Sequence, residues 1–300
     1  MRVFSRSVVA AGFLALAAAG PSGWAQQQGA AVAATPPPAA NQAEDLAKQL
    51  QNPIAALISV PIQNNFDFKV GPEDGFRYTA NIQPVVPINL SAKWILISRT
   101  ILPVVYQSDV FASTINDTDI GADSGVYGGS GEQAGLGDMT QSFFFSPKAP
   151  LPGKIIFGFG PVFLVPTATD KYLGSGKWGT GPTIVALKQA GPWTMGMLFN
   201  YIASFAGQSA KSDVSSAFLQ PFASYTFKNT TSISLNTEST DDFEAGTWSV
   251  PINLAVAKIF RFGKQPVNLS LGGKYYATGP SGAPEWGIRF TTTFLFPKKH

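Results

Sequence analysis

The sequence contains no cysteine and a single histidine, His300. Without thiols there is no disulfide framework, no thiol nucleophile and no thiolate metal site. Because His300 follows the last predicted strand, neither a Ser-His or Asp-His catalytic arrangement nor a His-ligated metal site can be built in the body of the chain. We therefore expect no catalytic residue, no metal site and no cofactor. A carboxylate-only enzyme stays open, but no carboxylate pair stands out.

Charge is also scarce, because 13% of the residues are Asp, Glu, Lys or Arg, against roughly 25% in typical soluble domains. Beyond the N-terminus no apolar run reaches the roughly 18 residues of a transmembrane helix. Aromatic residues make up 12% of the chain, which also has 30 glycines. This combination excludes a helical membrane protein and favours a β-barrel. A soluble secreted β-sandwich remains compatible with composition alone.

The N-terminus is typical of a secretory signal peptide. Arg2 and Arg6 precede an apolar stretch from Val8 to Ala19 and a small-x-small cleavage site at Gly23–Ala25. Removing these two arginines from 21 basic residues leaves 19 against 18 acidic ones, so the exported chain is nearly neutral and gives no reason to expect nucleic acid as a partner. We predict a signal peptide at 1–25, an Ala/Pro/Gln-rich periplasmic linker with a short helix at 26–52, and an outer-membrane barrel at 53–300.

The short helix is predicted over Ala43–Gln51, where Leu46 and Leu50 share one face and Asn52-Pro53 ends the pattern. One such helix is not stable by itself. Two interpretations remain open. The favoured one is a frayed periplasmic lead-in, and the other is a plug that docks in or under the barrel.

The last strand, Trp286–Phe296, shows the clearest pattern. At period two, one face carries aromatic and apolar side chains and the other carries Arg289 among glycine and threonines, as expected for a strand between lipid and a wet lumen. Only a closed sheet satisfies such a strand's backbone in hydrocarbon. The final Phe296 resembles the C-terminal signature of bacterial outer-membrane barrels, which implies recognition by the barrel-assembly machinery.

Strand-like segments recur along the whole chain, and the connections between them alternate between short turns and longer loops rich in Gly and Asp. An even number of strands places both termini on the periplasmic side. The predicted fold is all-β, a transmembrane antiparallel up-and-down β-barrel with a short N-terminal helix. Its twelve strands are predicted at residues 57–68, 76–88, 94–106, 136–145, 154–165, 178–188, 193–204, 214–227, 231–241, 247–260, 266–277 and 285–296.

Several sequence strings occur in a familiar order, namely Asn52–Phe66, Val70–Pro72, Asn81–Leu90, Trp94–Tyr106, Gly135–Thr140, Gly158–Pro161 and Gly181–Thr183. In this order they resemble the bacterial family named for the meta-pathway of phenol degradation, over about residues 52–296. The resemblance implies an outer-membrane barrel described as a transporter, sometimes mislabelled neuromedin U. It implies no established substrate, so passage of phenols or other aromatic and hydrophobic compounds follows from the family's name alone.

The alternation also predicts which polar side chains face the lumen. Rings of inward charges set selectivity in channels, whereas ion pairs with Asp67, Asp138 or Glu238 would close the interior, and both interpretations stay open. The predicted lumen-facing residues are Gln63, Asp67, Asn81, Gln83, Arg99, Asp138, Asn200, Gln220, Asn236, Glu238, Asn253, Lys274 and Arg289.

The connection at 107–135 contains Asp109, Asp117, Asp119, Asp123 and Glu132 and no basic residue. Its spacing lacks the ligand pattern of an EF-hand. A solvated extracellular loop is therefore favoured over a cation site or a segment that narrows the pore.

Together these features predict a passive channel or transporter for small molecules in the Gram-negative outer membrane. The expected partners are outer-membrane lipid and lipopolysaccharide, the barrel-assembly machinery and an unknown small solute. The main alternative is a non-conducting structural or surface-interaction barrel whose acidic loop is the functional segment. The weakest alternative is a secreted β-sandwich.

Overall fold

The computed structural model of the chain describes residues 38–111 and 131–297, with side chains from residue 43 onward. The predicted signal peptide, most of the predicted linker, Asp117, Asp119 and Asp123 of the acidic connection, and His300 lie outside the described residues. The predictions made for them therefore stay predictions.

The described chain forms one helix and fifteen strand segments that belong to a single antiparallel sheet. Three barrel strands are each interrupted once, at Gln83–Pro84, at Gly137–Asp138 and at Glu238, so the fifteen segments make twelve barrel strands in the described part of the chain. The elements are α1 (Pro38–Leu50), β1 (Ile58–Val70), β2 (Gly75–Ile82), β3 (Val85–Asn89), β4 (Trp94–Ser108), β5 (Glu132–Leu136), β6 (Met139–Pro147), β7 (Ile155–Val165), β8 (Lys177–Ala190), β9 (Trp193–Gly207), β10 (Ser215–Thr226), β11 (Thr231–Thr237), β12 (Ser239–Asp242), β13 (Thr247–Phe262), β14 (Gln265–Thr278) and β15 (Trp286–Phe296).

The sheet closes because the last strand pairs with the first. β15 runs antiparallel to β1 from Ile58 opposite Phe296 to Phe68 opposite Trp286, and every other barrel strand pairs with its neighbours in the sequence. No edge is left open, which is what a sheet in hydrocarbon requires. The predicted twelve-stranded antiparallel barrel is confirmed, with strand boundaries that differ by a few residues.

The two ends of the barrel differ in the length of their connections. At one end, which we call the turn end, adjacent strands are joined by short turns such as 191–192 and 263–264. The first strand, β1, begins at this end, and the last strand, β15, ends there. At the other end, the loop end, the connections include 109–131, 166–176 and 208–214. This is the predicted asymmetry.

The outer surface of the barrel is apolar around its circumference. Aromatic contacts lie near both ends, with Phe68 stacked on Trp286 at 4.3 Å towards the loop end and Trp193 5.0 Å from Tyr225 towards the turn end. Aromatic rings at both margins of an apolar band are typical of membrane barrels. Exposed side chains between these margins include Ile184, Met195, Met197, Leu235, Ile252, Leu254, Val256, Leu271 and Ile288.

The helix α1 and the following residues occupy the interior at the turn end. Leu46 and Ala47 are buried against Leu57 and against two inward side chains of the barrel wall, Ile259 and Leu295. The Gln189 side-chain amide also donates to the Lys48 carbonyl at 2.8 Å. The apolar face of the helix is thus buried on the barrel, as a marginal helix needs.

Residues 51–57 extend this contact. Ile54 is buried in a second cluster with inward residues of β4, β6, β8 and β9: Ile95, Ile97, Phe144, Val185, Leu187 and Leu198. We call residues 38–57 the plug. The favoured prediction of a frayed lead-in is wrong for the predicted helix, residues 43–51, because its apolar side chains pack inside the barrel. The helix also begins at Pro38, earlier than predicted.

No helix in residues 38–111 and 131–297 is both long and apolar enough to cross a membrane.

Candidate functional site

The interior of the barrel holds a layered polar network between the loop end and the plug. In its middle layer, Arg289 of β15 donates from both terminal nitrogens to Glu238, at 2.8 and 2.7 Å. Its Nε donates to Asn65 Oδ1 at 2.7 Å. Glu238 lies at the break between β11 and β12, so the pair joins two barrel strands that are separated along the sheet by β13 and β14. A bidentate Arg–carboxylate pair is strong and fixed in geometry.

Nearer the loop end lies a second ion pair. Lys274 Nζ donates to Asp67 Oδ1 at 2.8 Å, and both side chains are less than a tenth exposed. The Tyr276 hydroxyl donates to the same oxygen at 3.2 Å. Such a buried pair is held by its mutual geometry, because either charge left alone would be strongly unfavourable.

Nearer the turn end, amide side chains connect Arg99 to the middle layer. Arg99 donates to Gln83 Oε1 at 3.0 Å, and Gln83 donates to Gln63 Oε1 at 3.3 Å. Gln63 in turn lies 3.5 Å from Asn65 Oδ1, the atom that Arg289 contacts. Gln83 lies at the break between β2 and β3, where Pro84 removes a ladder donor.

The network carries an excess of positive charge. Its basic residues are Arg77, Arg99, Lys274 and Arg289 and its acidic residues are Asp67 and Glu238, so four positive minus two negative charges leave a net +2. Within residues 43–111 and 131–297, the ion pairs of this interior join Lys274 to Asp67 and Arg289 to Glu238. Arg77 instead donates to Gln107 Oε1 at 2.9 Å, and Arg99 to Gln83. Two guanidinium groups thus face the interior with neutral partners.

Twelve of the thirteen side chains predicted to face the lumen lie on the inner face. For Asn81 and Asn200 the strand register shows this, because they pair with the inward residues Gln63 and Thr183. The other ten take part in the interior hydrogen bonds or line the interior cavity described below: Gln63, Asp67, Gln83, Arg99, Gln220, Asn236, Glu238, Asn253, Lys274 and Arg289. Whether they select a solute stays a proposal.

Asp138 has a different position from the one predicted. It lies at the break between β5 and β6 and accepts hydrogen bonds from the backbone nitrogens of Ala168 and Ser175, at 3.2 and 2.6 Å, and from the Ser175 hydroxyl at 2.7 Å. All three partners belong to the loop 166–176. Asp138 therefore holds this loop against the barrel wall rather than lining an open lumen.

The loops at this end also hold one another. The Lys211 ammonium donates to the carbonyls of Lys171 and Gly174, which joins the loop 208–214 to the loop 166–176. Lys177 Nζ lies 2.9 Å from Asp213 Oδ1. This hydrogen bond, with a second one from the Ser204 hydroxyl, holds the pKa of the Asp213 carboxyl below its ordinary value. The contact is therefore complete above the ordinary Asp range and is lost as the pH falls through the lowered pKa.

We expect Asp138→Ala to release the loop 166–176 while the barrel stays folded, because the backbone nitrogens of Ala168 and Ser175 lose a charged acceptor. Limited trypsin digestion of the folded protein checks this, with faster cleavage after Lys171 as the expected result. Asp242→Ala is the matched control, because Asp242 accepts backbone hydrogen bonds within its own turn, from Glu244 and Ala245. Equal cleavage rates for the two variants would contradict the role given to Asp138.

A cavity of about 280 Å³ lies between the network and the plug. Its floor is formed by residues 49–53, and its walls include inward side chains from β1, β10, β11, β13, β14 and β15. The side chains that contribute polar atoms to this lining include Gln63, Gln83, Arg99, Gln220, Ser224, Ser234, Asn236, Asn253, Asn268, Ser270 and Arg289. The described residues contain no cluster of three or more His, Asp and Glu side chains placed to hold a metal.

Several interior residues were missed from the sequence. Arg77 shares the period-two face of Asn81 in β2, and Asn65 shares that of Gln63 and Asp67 in β1, so strict alternation would have found both. Gln107 and Gln133, buried and joined at 3.0 Å, were assigned to the acidic connection. In the structure β4 extends to Ser108 and β5 begins at Glu132, so the connection is shorter than predicted.

Comparison with known proteins identifies the fold. No family model matches this chain, and no curated protein matches it either. Among solved structures, an outer membrane channel from Pseudomonas putida F1 superposes with a TM-score of 0.58 over 80% of this chain and 96% of that one, at 14% identity. The chain has the fold of an outer-membrane channel.

Two further solved structures match with lower scores. The β-domain of the Bordetella autotransporter BrkA has a TM-score of 0.42 at 9% identity, covering 80% of this chain and all of that one. An anion-selective porin from Comamonas acidovorans has a TM-score of 0.35 at 10% identity, covering 80% and 98%. The narrower resemblance to the phenol-degradation family stays a prediction.

Proposed function

We propose that this protein is a passive outer-membrane channel for small molecules. The observation that carries the proposal is the polar cavity of about 280 Å³ inside a closed barrel whose outer surface is apolar. An apolar belt suits a barrel in lipid, and a polar interior suits passage of solutes. The channel fold of the Pseudomonas putida protein supports the same function. The proposal includes no catalytic step and no cofactor.

The proposed orientation has the turn end in the periplasm and the loop end at the cell surface, in contact with lipopolysaccharide. Short periplasmic turns and longer outer loops are the rule in bacterial barrels. A cleaved signal peptide at 1–25 and recognition of Phe296 by the barrel-assembly machinery are parts of this proposal. Aromatic or hydrophobic solutes are not favoured by the polar network, which carries net positive charge, and the inward apolar side chains of β4, β6, β8 and β9 are packed against Ile54 of the plug.

The test is the conductance of the refolded mature protein in a planar lipid bilayer. Discrete current steps are the expected result, and the net +2 of the interior makes anions the preferred ions. A protein that is folded and inserted yet gives no current steps would overturn the proposal.

We expect Arg99→Ala to weaken the anion preference with little loss of stability. The hydrogen-bond partner of Arg99 is the neutral Gln83, so its removal leaves no carboxylate without an ion-pair partner. A unit charge about 4 Å from an ion contributes about 1 kcal/mol in water, which is about fivefold for each ion. Because the effects on anions and cations have opposite signs, the anion-to-cation permeability ratio should fall about 25-fold. Reversal potentials under a salt gradient measure this ratio.

Lys258→Ala provides the matched control for the Arg99 variant. Lys258 is an exposed residue of β13 opposite Leu269 and Thr231, and it does not line the cavity. The same loss of charge there should leave the reversal potential unchanged. A shift of equal size in both variants would show that surface potential, rather than the lumen, sets the selectivity.

A second candidate function is a non-conducting structural or surface-interaction barrel. The observations that favour it are the two ion pairs inside the barrel and the plug that fills the turn end. The conductance of a protein without the plug separates the two functions. A channel conducts better when the plug is removed, whereas a barrel closed by its ion pairs stays silent.

A further inference from the structure

We propose that the basic rim of the barrel at the turn end is a binding surface for the anionic phospholipid headgroups of the membrane leaflet around it. In the proposed orientation this is the periplasmic leaflet. The inference goes beyond the channel function and does not require that the barrel conducts. It follows from three features of the turn end: positive charges without acidic partners, their position at the margin of the apolar outer surface, and the opposite charge of the loop end.

Eight basic side chains lie at the turn end, and all of them are exposed. Five belong to its turns, namely Lys93, Lys148, Lys154, Lys228 and Lys264. Three lie within the last five residues of β8 and β13, namely Lys188, Lys258 and Arg261. We call these eight residues the turn-end ring. Within residues 58–111 and 131–297, the turns and strand ends of this rim contain no acidic residue, so the ring has charge of one sign.

The turn-end ring has no ion-pair partner among residues 43–111 and 131–297. The ion pairs of these residues use other basic side chains. In the plug, which lies inside the rim, Glu44 pairs with Lys48 of its own helix at 2.8 Å. Like charges around one rim repel one another and attract anions from outside the chain. The ring therefore needs an external anionic partner.

The sequence neighbours of the ring place it at the level of lipid headgroups. Lys93 directly precedes Trp94, and Lys228 directly follows Phe227. Both aromatic side chains are exposed on the outer surface, Trp94 at 38% and Phe227 at 41%. Amphipathic aromatic rings at the margins of an apolar band lie at the headgroup level of a membrane. The adjacent cations are therefore at the height of lipid phosphates.

Two members of the ring lie on the lipid-facing wall itself. Lys188 is opposite Ile155 and Met195, which are exposed on the outer surface, and Lys258 follows the exposed Val256 on the same face. A lysine in such surroundings lays its apolar stem along the wall and extends its ammonium group to the interface. A cation on a lipid-facing strand is tolerated only near the interface. An anionic phosphate is the complementary group that a membrane offers there.

The loop end carries charge of the opposite sign. In the connection 71–74 the charged residues are Glu73 and Asp74, and in residues 239–246 they are Asp241, Asp242 and Glu244. An anionic lipid should therefore be attracted to one end of the barrel and repelled from the other. This difference gives the proposal an internal control.

Quenching of tryptophan fluorescence by brominated lipids tests the proposal on the full mature chain folded in vesicles. Trp94 and Trp193 are exposed near the turn end, whereas Trp178, Trp248 and Trp286 are exposed near the loop end. Replacement of the second set by Phe gives a turn-end reporter, and replacement of the first set gives a loop-end reporter. The vesicles are equimolar mixtures of phosphatidylcholine and phosphatidylglycerol in which one lipid or the other carries the bromine.

The turn-end reporter should show a binding constant for phosphatidylglycerol about fivefold that for phosphatidylcholine, the factor expected for one basic side chain near an anionic surface. The loop-end reporter should show no such preference. Lys93→Gln with Lys188→Gln removes the cations next to Trp94 in the sequence and next to Trp193 across the β8–β9 ladder. This double substitution should bring the turn-end preference to about one. Lys69→Gln with Lys171→Gln is the matched control, because it removes two charges at the loop end, and it should leave the preference unchanged.

Two further conditions distinguish a lipid headgroup from other anions. Salt at about 1 M shortens the screening length to about 3 Å and should remove the preference. Inorganic phosphate at constant ionic strength should not remove it, and a loss there would assign the ring to soluble anions and overturn the proposal. Equal quenching by the two lipids at the turn end, or a preference that survives the double substitution or the salt, would also overturn it. Because no current is needed, a conducting barrel without the preference refutes the ring alone, and a silent barrel with the preference refutes the channel alone.

Discussion

Removal of residues 26–56 from the mature protein is expected to give a folded barrel with a several-fold higher conductance. The plug fills the turn end through two apolar clusters, one around Leu46 and Ala47 and one around Ile54. No residue of the plug belongs to a barrel strand, and the pairing of β1 with β15 begins only at Ile58. The closed sheet therefore keeps all its strands when the plug is absent, while the turn end of the lumen, which the plug fills, opens.

Single-channel recording of the deletion variant next to the full mature chain gives the measurement. The deletion should also lower the stability of the barrel, because loss of the plug exposes Ile259 and Leu295 of the wall to water in the lumen. Failure of the variant to assemble would assign the plug a role in folding. An unchanged conductance would place the barrier elsewhere, and the layer of Arg289 and Glu238 would be the next candidate.

A point substitution makes the same test without removing the chain. Ala47 is 2% exposed in the contact between helix and wall, so Ala47→Asp places a charge where it has no partner and should displace the helix. Asp45→Ala is the matched control, because Asp45 lies on the exposed face of the same helix. The first variant should approach the conductance of the deletion, and the second should keep that of the full chain.

The alternation of side chains made much of this molecule predictable. In β15 the period-two pattern placed Arg289 inside and Phe290 outside, and the closed barrel has them there. Twelve strands could be counted because each apolar face had to meet lipid and each connection carried turn residues. These are local properties, and a local pattern is visible in a single sequence.

The partners of the interior charges could not be predicted in the same way. Arg289 and Glu238 meet over the intervening strands β13 and β14 because of strand register and barrel curvature. The residues next to them in the sequence indicate neither the register nor the curvature. Asp138 was misplaced because the break at Gly137–Asp138 interrupts the alternation, so its side chain reaches the loop 166–176. The apolar face of Leu46 and Leu50 predicted a helix that packs against another part of the protein. It did not indicate that this part is the inner wall of the barrel.

Asp67→Ala is expected to destabilise the barrel more than any other single substitution in the network. The side chains of Asp67 and Lys274 are 8% and 6% exposed and 2.8 Å apart. Removing one partner of a buried pair leaves the other charge uncompensated, at a cost of about 3–5 kcal/mol. The Tyr276 hydroxyl loses its acceptor at the same time. Urea unfolding in detergent micelles measures the change in the free energy of unfolding.

A second ion pair and a double substitution show whether the loss of stability in Asp67→Ala is due to the uncompensated charge of Lys274. Glu285→Ala breaks a pair with Lys69 in which the side chains are 62% and 47% exposed, and surface pairs contribute only about 0–1 kcal/mol. The double variant Asp67→Leu with Lys274→Met removes both buried charges, so it should recover most of the stability lost in Asp67→Ala. If the double variant is as unstable as Asp67→Ala, then the pair itself stabilises the barrel. If Asp67→Ala loses as little free energy of unfolding as Glu285→Ala, then water in the lumen already screens the Lys274 charge. The loop end would then be more hydrated than the burial of Lys274 implies.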